Sequence, residues 1–144
     1  MITFQRERGE DFVRDAEELW QEHWEEVRTG EEKLRLHLAH YLTLEALGQL
    51  MIVTARADAK LVGYVVLVVR KHSRYDMLCA FEDGFFVAKP HRGIGHKLLQ
   101  AAELFAGGRG VKRMIFSTRG VEKIGKMYAR LGFAPIDELW SKDL

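Results

Sequence analysis

The sequence predicts an α/β domain built on one mixed sheet. Three observations carry this. Apolar residues alternate between strand-like runs and helical spacing, in the order strand, two helices, three strands, helix, strand, helix, strands. The chain has 144 residues, 47% of them hydrophobic, which suits one compact core and is too little for two ordinary domains. No repeat and no Pro-rich or Gly/Ser tract interrupts it, so residues 1–144 are expected to form a single domain.

Each element follows from local pattern. Ile2 and Phe4 alternate with polar residues and predict a short first strand. Phe12, Ala16, Leu19, Trp20, His23, Trp24 and Val27 make one broad face of a helix from about Asp11 to Val27. Glu10 and Asp11 suit its positive N-terminal end, and Gly30 is expected to stop it. Leu34, Leu38, Tyr41, Leu42 and Ala46 predict a second helix ending at Gly48. Leu50 to Arg56 reads as a strand, Ala57 to Lys60 as a hairpin turn, and Leu61 to Lys71 as a long β-branched strand. Gly63 inside that strand predicts a bulge or a close backbone approach. After the connection His72 to Asp76, Met77 to Val87 is a strand broken near Asp83-Gly84. Leu98, Leu99, Ala102 and Phe105 mark a helix from Gly95 to Phe105, ended by Gly107-Gly108. Met114 to Phe116 is a short strand, and Val121 to Leu131 a helix closed by Gly132. Phe133 to Trp140 is expected to supply one or two final strands.

Composition removes several classes. The longest apolar run, Leu61 to Val69, is too short to span a bilayer. The first seven residues lack the cationic-then-apolar layout of a signal peptide. The lone cysteine, Cys79, makes no internal disulfide and fits a reducing compartment. A cytoplasmic protein without membrane attachment is expected. The net charge of +1 hides an asymmetry: residues 1–32 carry −7 and the remainder +8. An acidic front and a basic rear suit a cationic substrate and an anionic cofactor. The acidic first helix works against a nucleic-acid partner. His37-x-x-His40, with His23, is not by itself a ligand set, and no metal is expected.

Chemistry concentrates in Phe85-Phe86-Val87-Ala88-Lys89-Pro90-His91-Arg92-Gly93-Ile94-Gly95-His96-Lys97. A strand runs into a basic, Gly-containing turn that opens a helix. Glycine lets a ligand approach the backbone, and a helix N-terminus is a ready anion site. Arg92, Gly93, Ile94, Gly95, His96 and Lys97 are therefore the candidate cofactor-binding residues of this turn, as a pyrophosphate cradle. A second constellation follows at Tyr128-Ala129-Arg130-Leu131-Gly132-Phe133.

Together these segments resemble the GNAT-type N-acetyltransferases. Tyr128-x-x-Leu131-Gly132-Phe133 matches that family's late motif. The turn fits its Arg/Gln-x-x-Gly-x-Gly/Ala motif in two alternative ways. Taking Gly93 and Gly95 as the glycines puts Pro90 at the Arg/Gln position, whereas taking Arg92 as the Arg leaves Lys97 at the last Gly/Ala. His23-Trp24-Glu25-Glu26 and the stretch Glu138 to Leu144 are similar to small phage-encoded members. The resemblance implies a GNAT-like acyl-CoA N-acyltransferase fold, with six or seven strands in a mixed central sheet flanked by four helices. It implies acetyl-CoA as donor, lying between Phe85–Val87 and Met114–Ser117 and pairing with backbone around Phe86 and Val87. It implies direct transfer to a primary amine in a ternary complex.

Each step has a physical need. An alkylammonium with pKa near ~10.4 must first lose a proton. Glu82 is the preferred base and Asp83 the next, with a water chain or another group such as His72 as the remaining option, and alternation turns at most one of the two acids into the site. The Val87 N–H is the donor for the developing oxyanion. Tyr128 matches the family residue that protonates or positions the sulfur. Trp20, His23, Trp24, Tyr41, His72 and Tyr75 are the distinctive candidates for an acceptor pocket. The acceptor is a small-molecule amine or a protein amine, and a homodimer is left open. The alternative reading is a non-catalytic protein of the same fold that binds an acyl-CoA or a protein partner as a regulator.

Overall fold

The computed structural model describes residues 1–27 and 37–144. The expected stop at Gly30 and the Leu34 end of the second helix lie outside the described residues. Among the described residues the chain forms β1 (Ile2–Glu7), α1 (Gly9–Val27), α2 (Leu38–Ala46), β2 (Leu50–Ala57), β3 (Lys60–Lys71), β4 (Leu78–Val87), α3 (Gly95–Gly108), β5 (Arg113–Ile115) and α4 (Glu122–Arg130). A short 3-10 helix, Lys89–Ile94, joins β4 to α3.

The five strands lie in sequence order. β1 to β4 pair antiparallel, and β5 joins β4 in parallel. The sheet is covered on both faces. Phe12, Ala16, Leu19, Trp20 and Tyr41 of α1 and α2 pack on Ile52, Tyr64, Val66 and Phe86. Leu98, Leu99 and Ala102 of α3, with Tyr128 of α4, pack on Val53, Val65, Leu67 and Val87. Double coverage explains why β3 is continuously apolar rather than alternating.

The hairpin turn holds Asp58 and Ala59 at φ +49° and +78°, the left-handed geometry of a two-residue β-turn. Gly63 meets its expectation: a Cβ there would lie 3.3 Å from the Phe86 carbonyl oxygen and from the Leu98 and Val87 side chains. An adjacent bulge leaves Val62 as the extra residue between Ala55↔Gly63 and Arg56↔Leu61.

One expectation fails. Phe133 to Trp140 forms no strand, so among the described residues the sheet has five strands rather than six or seven. Only Phe133 is held, its ring 5.2 Å from that of Tyr128 and 5.5 Å from that of Phe116. Beyond it, Ile136, Leu139 and Trp140 are exposed, so no apolar contact holds them against β5.

Candidate active site

The site begins where two strands separate. β4 pairs with β5 over Cys79–Phe81, against Arg113–Ile115, and no further. Past Phe81 the strands part, leaving the β4 edge from Glu82 to Val87 unpaired on the β5 side. The Ala88 N–H bonds the Val62 carbonyl at 2.8 Å, and the register pairs Val87 with Gly63 and Phe86 with Tyr64. Antiparallel alternation then directs the N–H and C=O of Phe85 and Val87 into the gap. The backbone of Phe86 faces β3 instead. This corrects the expectation for Phe86, whose ring lies under α1, 4.6 Å from the His23 ring.

A bulge lies at the start of the gap. Val66 pairs with Gly84 and Leu67 with Glu82, which leaves Asp83 as the extra residue. The two acids diverge there, as alternation predicts. Asp83 turns toward α2 and accepts a hydrogen bond from the Tyr41 hydroxyl at 3.1 Å. Glu82 bridges the parting strands, its Oε1 accepting the Ser117 N–H at 3.2 Å. The Tyr128 hydroxyl donates to the Ser117 carbonyl at 3.0 Å. One residue thus links the candidate base and the candidate acid.

Burial raises the Glu82 carboxyl above its ordinary range, with Asp83 adding to the shift while the Ser117 N–H and Arg119 oppose it. Burial and the Glu82 charge also raise the Tyr128 hydroxyl, against Arg119, so it stays a neutral donor. Ser117 and Arg119 were not singled out from sequence. Both lie in the loop joining β5 to α4, where no motif marks them, and Arg119 sits at φ +51° beside Gly120. Tyr64 was missed too. It bonds buried His23 at 2.5 Å, and its apolar neighbours in sequence make it read as plain core.

The basic turn is a 3-10 helix rather than a glycine loop, with Pro90 in its first turn. Neither Gly93 nor Gly95 has positive φ. A Cβ on Gly93 would meet nothing within 4 Å, so the fold itself does not demand glycine there. The N-terminus of α3 has no side-chain cap and no acid in its first turn. His96 and Lys97 are exposed on that turn, whereas Gly95 is buried and Ile94 packs on the core. The Gly95 N–H is taken by the Arg92 carbonyl of the 3-10 helix, so it is the open space beside Gly93, with exposed His96 and Lys97, that fits an anionic group. Arg92 is engaged otherwise. Its Nε donates to the Val87 carbonyl at 3.2 Å, its guanidinium pairs with Glu26 of α1, and it stacks over Phe86.

The pocket candidates divide. Trp20, His23 and Tyr41 are buried in the α1/α2 core, and Tyr41 reaches the site through Asp83. Trp24 is half-buried. His72 and Tyr75 pack together at the β3–β4 connection, where His72 also stacks on Phe81. Among the described residues, no three His, Cys, Asp or Glu side chains gather as a metal site.

The sequence profile of the acetyltransferase (GNAT) family matches residues 10–133, a span that includes all of α1 but its first residue, the bulge, the turn and the Tyr128 motif. The chain belongs to the GNAT acetyltransferase family. No curated protein matches this family member by sequence. Solved structures share its fold at low identity. An aminoglycoside acetyltransferase from an uncultured soil metagenomic sample, in complex with sisomicin, has 16% identity and a TM-score of 0.74, over 99% of this chain and 97% of that one. Ribosomal-protein-alanine N-acetyltransferase from Brucella melitensis has 17% identity and a TM-score of 0.70, over 100% and 97%. A predicted acetyltransferase with acetyl-CoA, from Clostridium acetobutylicum, has 13% identity and a TM-score of 0.77, over 99% and 96%. The likeness to phage-encoded members finds no support among these. No described helix of this GNAT acetyltransferase is long and apolar enough to cross a membrane.

Proposed function

We propose that this chain transfers an acetyl group from acetyl-CoA directly to a cationic primary amine, both held at once. The observation that carries the reading is the Glu82–Ser117–Tyr128 chain at the point where β4 and β5 part. Acetyl-CoA supplies an activated acyl carbon and a thiol leaving group. The outward N–H and C=O of Phe85 and the outward N–H of Val87 suit its amide arm, the Val87 carbonyl being taken by Arg92. The open space beside Gly93 at the start of α3, with His96 and Lys97, suits its pyrophosphate.

Glu82 takes the proton that the acceptor ammonium must lose, directly or through a water. Its raised affinity for a proton makes it a better base than an ordinary carboxylate. The Val87 N–H faces the carbonyl oxygen as charge develops there. Tyr128 gives its proton to the departing sulfur. Asp83, held by Tyr41 on the other face of β4, offers a carboxylate to the acceptor's positive charge. The acidic front of the chain favours the same class of acceptor. The sisomicin complex and the ribosomal-protein enzyme are examples within this fold of a small amine and a protein amine.

The test is calorimetric titration with acetyl-CoA, followed by an amine screen with thiol-release detection. Binding and turnover are expected, and Tyr128→Phe should lower kcat at least ~10-fold, about 1.4 kcal/mol of barrier, with acetyl-CoA affinity nearly unchanged. Equal turnover in the two proteins would reduce Tyr128 to a packing residue. Absence of binding at millimolar acetyl-CoA would overturn the reading.

A further inference from the structure

Building on the acetyl-transfer reading, we infer that the acceptor is an amino acid, its ammonium received by Glu82 and Asp83 and its carboxylate by the guanidinium of Arg119. Arg119 lies in the loop between β5 and α4, two residues after Ser117, whose N–H and C=O tie Glu82 to Tyr128. Two short bonds fix the loop there. The Arg119 N–H donates to the Ser117 Oγ at 3.1 Å, and the Gly120 N–H to the Thr118 Oγ1 at 3.2 Å. Arg119 and Gly120 stand at φ +51° and +75°. Left-handed backbone disfavours a long side chain, and strain of this kind gathers at ligand sites.

The Arg119 charge reaches groups on three elements. It eases proton loss from Glu82 of β4 and from Tyr128 of α4, and it opposes a charge on His23 of α1. A cation felt from α1, β4 and α4 at once stands where the sheet opens. Arg119 is exposed, and among the described residues it makes no ion pair. Glu82 and Asp83 accept only from the neutral Ser117 N–H and Tyr41 hydroxyl. The gap thus holds two carboxylates and one guanidinium, none of them neutralised by an ion pair. Acetyl-CoA leaves all three without a partner. Its thioester end, beside Tyr128, is neutral, and its phosphates belong by Gly93, His96 and Lys97, at the other end of the β4 edge. A polyamine would match the acids alone, because a second ammonium is repelled by the guanidinium. An amino acid carries both charges on one carbon. Its ammonium suits the acids, and its carboxylate suits the planar fork of an arginine.

The test compares the standard amino acids with their carboxamides, which keep the ammonium and lose the carboxylate. Each is titrated calorimetrically into the protein saturated with coenzyme A, and each is assayed for thiol release with acetyl-CoA. The preferred amino acid is expected to exceed its amide at least ~10-fold, both in affinity and in kcat/KM. Arg119→Gln should bring that ratio close to one, and Arg119→Lys should keep part of it. The ratio is the readout because any effect of Arg119 on Glu82 or Tyr128 acts on acid and amide alike. Wild-type protein that treats the two alike, or binds no amino acid, overturns the inference. So does a preference that survives Arg119→Gln, and weaker acetyl-CoA binding in that variant would then assign the guanidinium to the donor. Thiol release from acids and amides alike would leave the acetyl-transfer reading standing while this inference falls. Arg119-dependent binding of an amino acid without thiol release would do the converse.

Discussion

At the scale of single residues, half-buried Glu82 and buried His23 set how this acetyltransferase responds to pH. Glu82 holds its proton more tightly than an ordinary carboxyl because burial disfavours its charge. The acid limb of kcat/KM should therefore have its midpoint above the usual carboxylate value, and Glu82→Gln should remove that limb as well as slow turnover. An unchanged limb in the variant would assign the proton to another group. His23 shifts the other way. Burial, with Arg119 adding and Glu26 opposing, lowers it to about 4 from 6.5. The unfolded chain then binds more protons than the native one between those values, so the contribution is complete above pH 6.5 and is lost as pH falls toward 4. The loss is about 3 kcal/mol. Urea unfolding at pH 7 and pH 4.5 should show the wild type losing more stability than His23→Gln by roughly 2 kcal/mol, the part of that loss reached by pH 4.5. Parallel losses would contradict it.

Elements are positioned by a few polar ties across the apolar layers. Arg56 of β2 grips both carboxylate oxygens of Glu7 in β1 at 2.8 Å and reaches Asp15 of α1 at 2.9 Å, while the Thr54 hydroxyl also bonds Glu7. Burial opposes the Glu7 charge, but Arg56 and Thr54 together hold its carboxyl below the ordinary value. Arg56→Ala would leave that carboxylate without its partner and should cost about 3 kcal/mol, against a small effect for Lys71→Ala, whose partner Asp76 is fully in solvent. Denaturant midpoints of the two variants give the comparison. On the far side, the β4 bulge does what regular alternation cannot: it lets Asp83 and Gly84 both face α1 and α2 while Glu82 stays on the gap side.

At the scale of the whole molecule, one ion pair ties the two oppositely charged parts of the chain together. The acidic first helix meets the basic turn through Glu26 and Arg92, beside the open β4 edge. Acetyl-CoA at 100 times its dissociation constant should add ~2.7 kcal/mol of apparent stability, which in a domain of this size is a rise in Tm of roughly 5–10 °C. A thermal scan with and without the donor measures it, and no shift at saturating donor would refute binding to the native state.

The sequence by itself determined the element order as far as α4, the hairpin turn, the Gly63 approach and the Tyr128 motif, because each is encoded by residues close along the chain. It also separated Glu82 from Asp83, since strand alternation is local. Only the tertiary structure decided that Ser117 joins Glu82 to Tyr128, that Phe85 rather than Phe86 opens its backbone to the gap, and that Arg92 is held by Glu26. Those facts depend on which residues meet across strands and layers. The segment after Phe133 shows the limit most plainly: its pattern reads as a strand, but a strand needs a neighbour, and among the described residues none pairs with it.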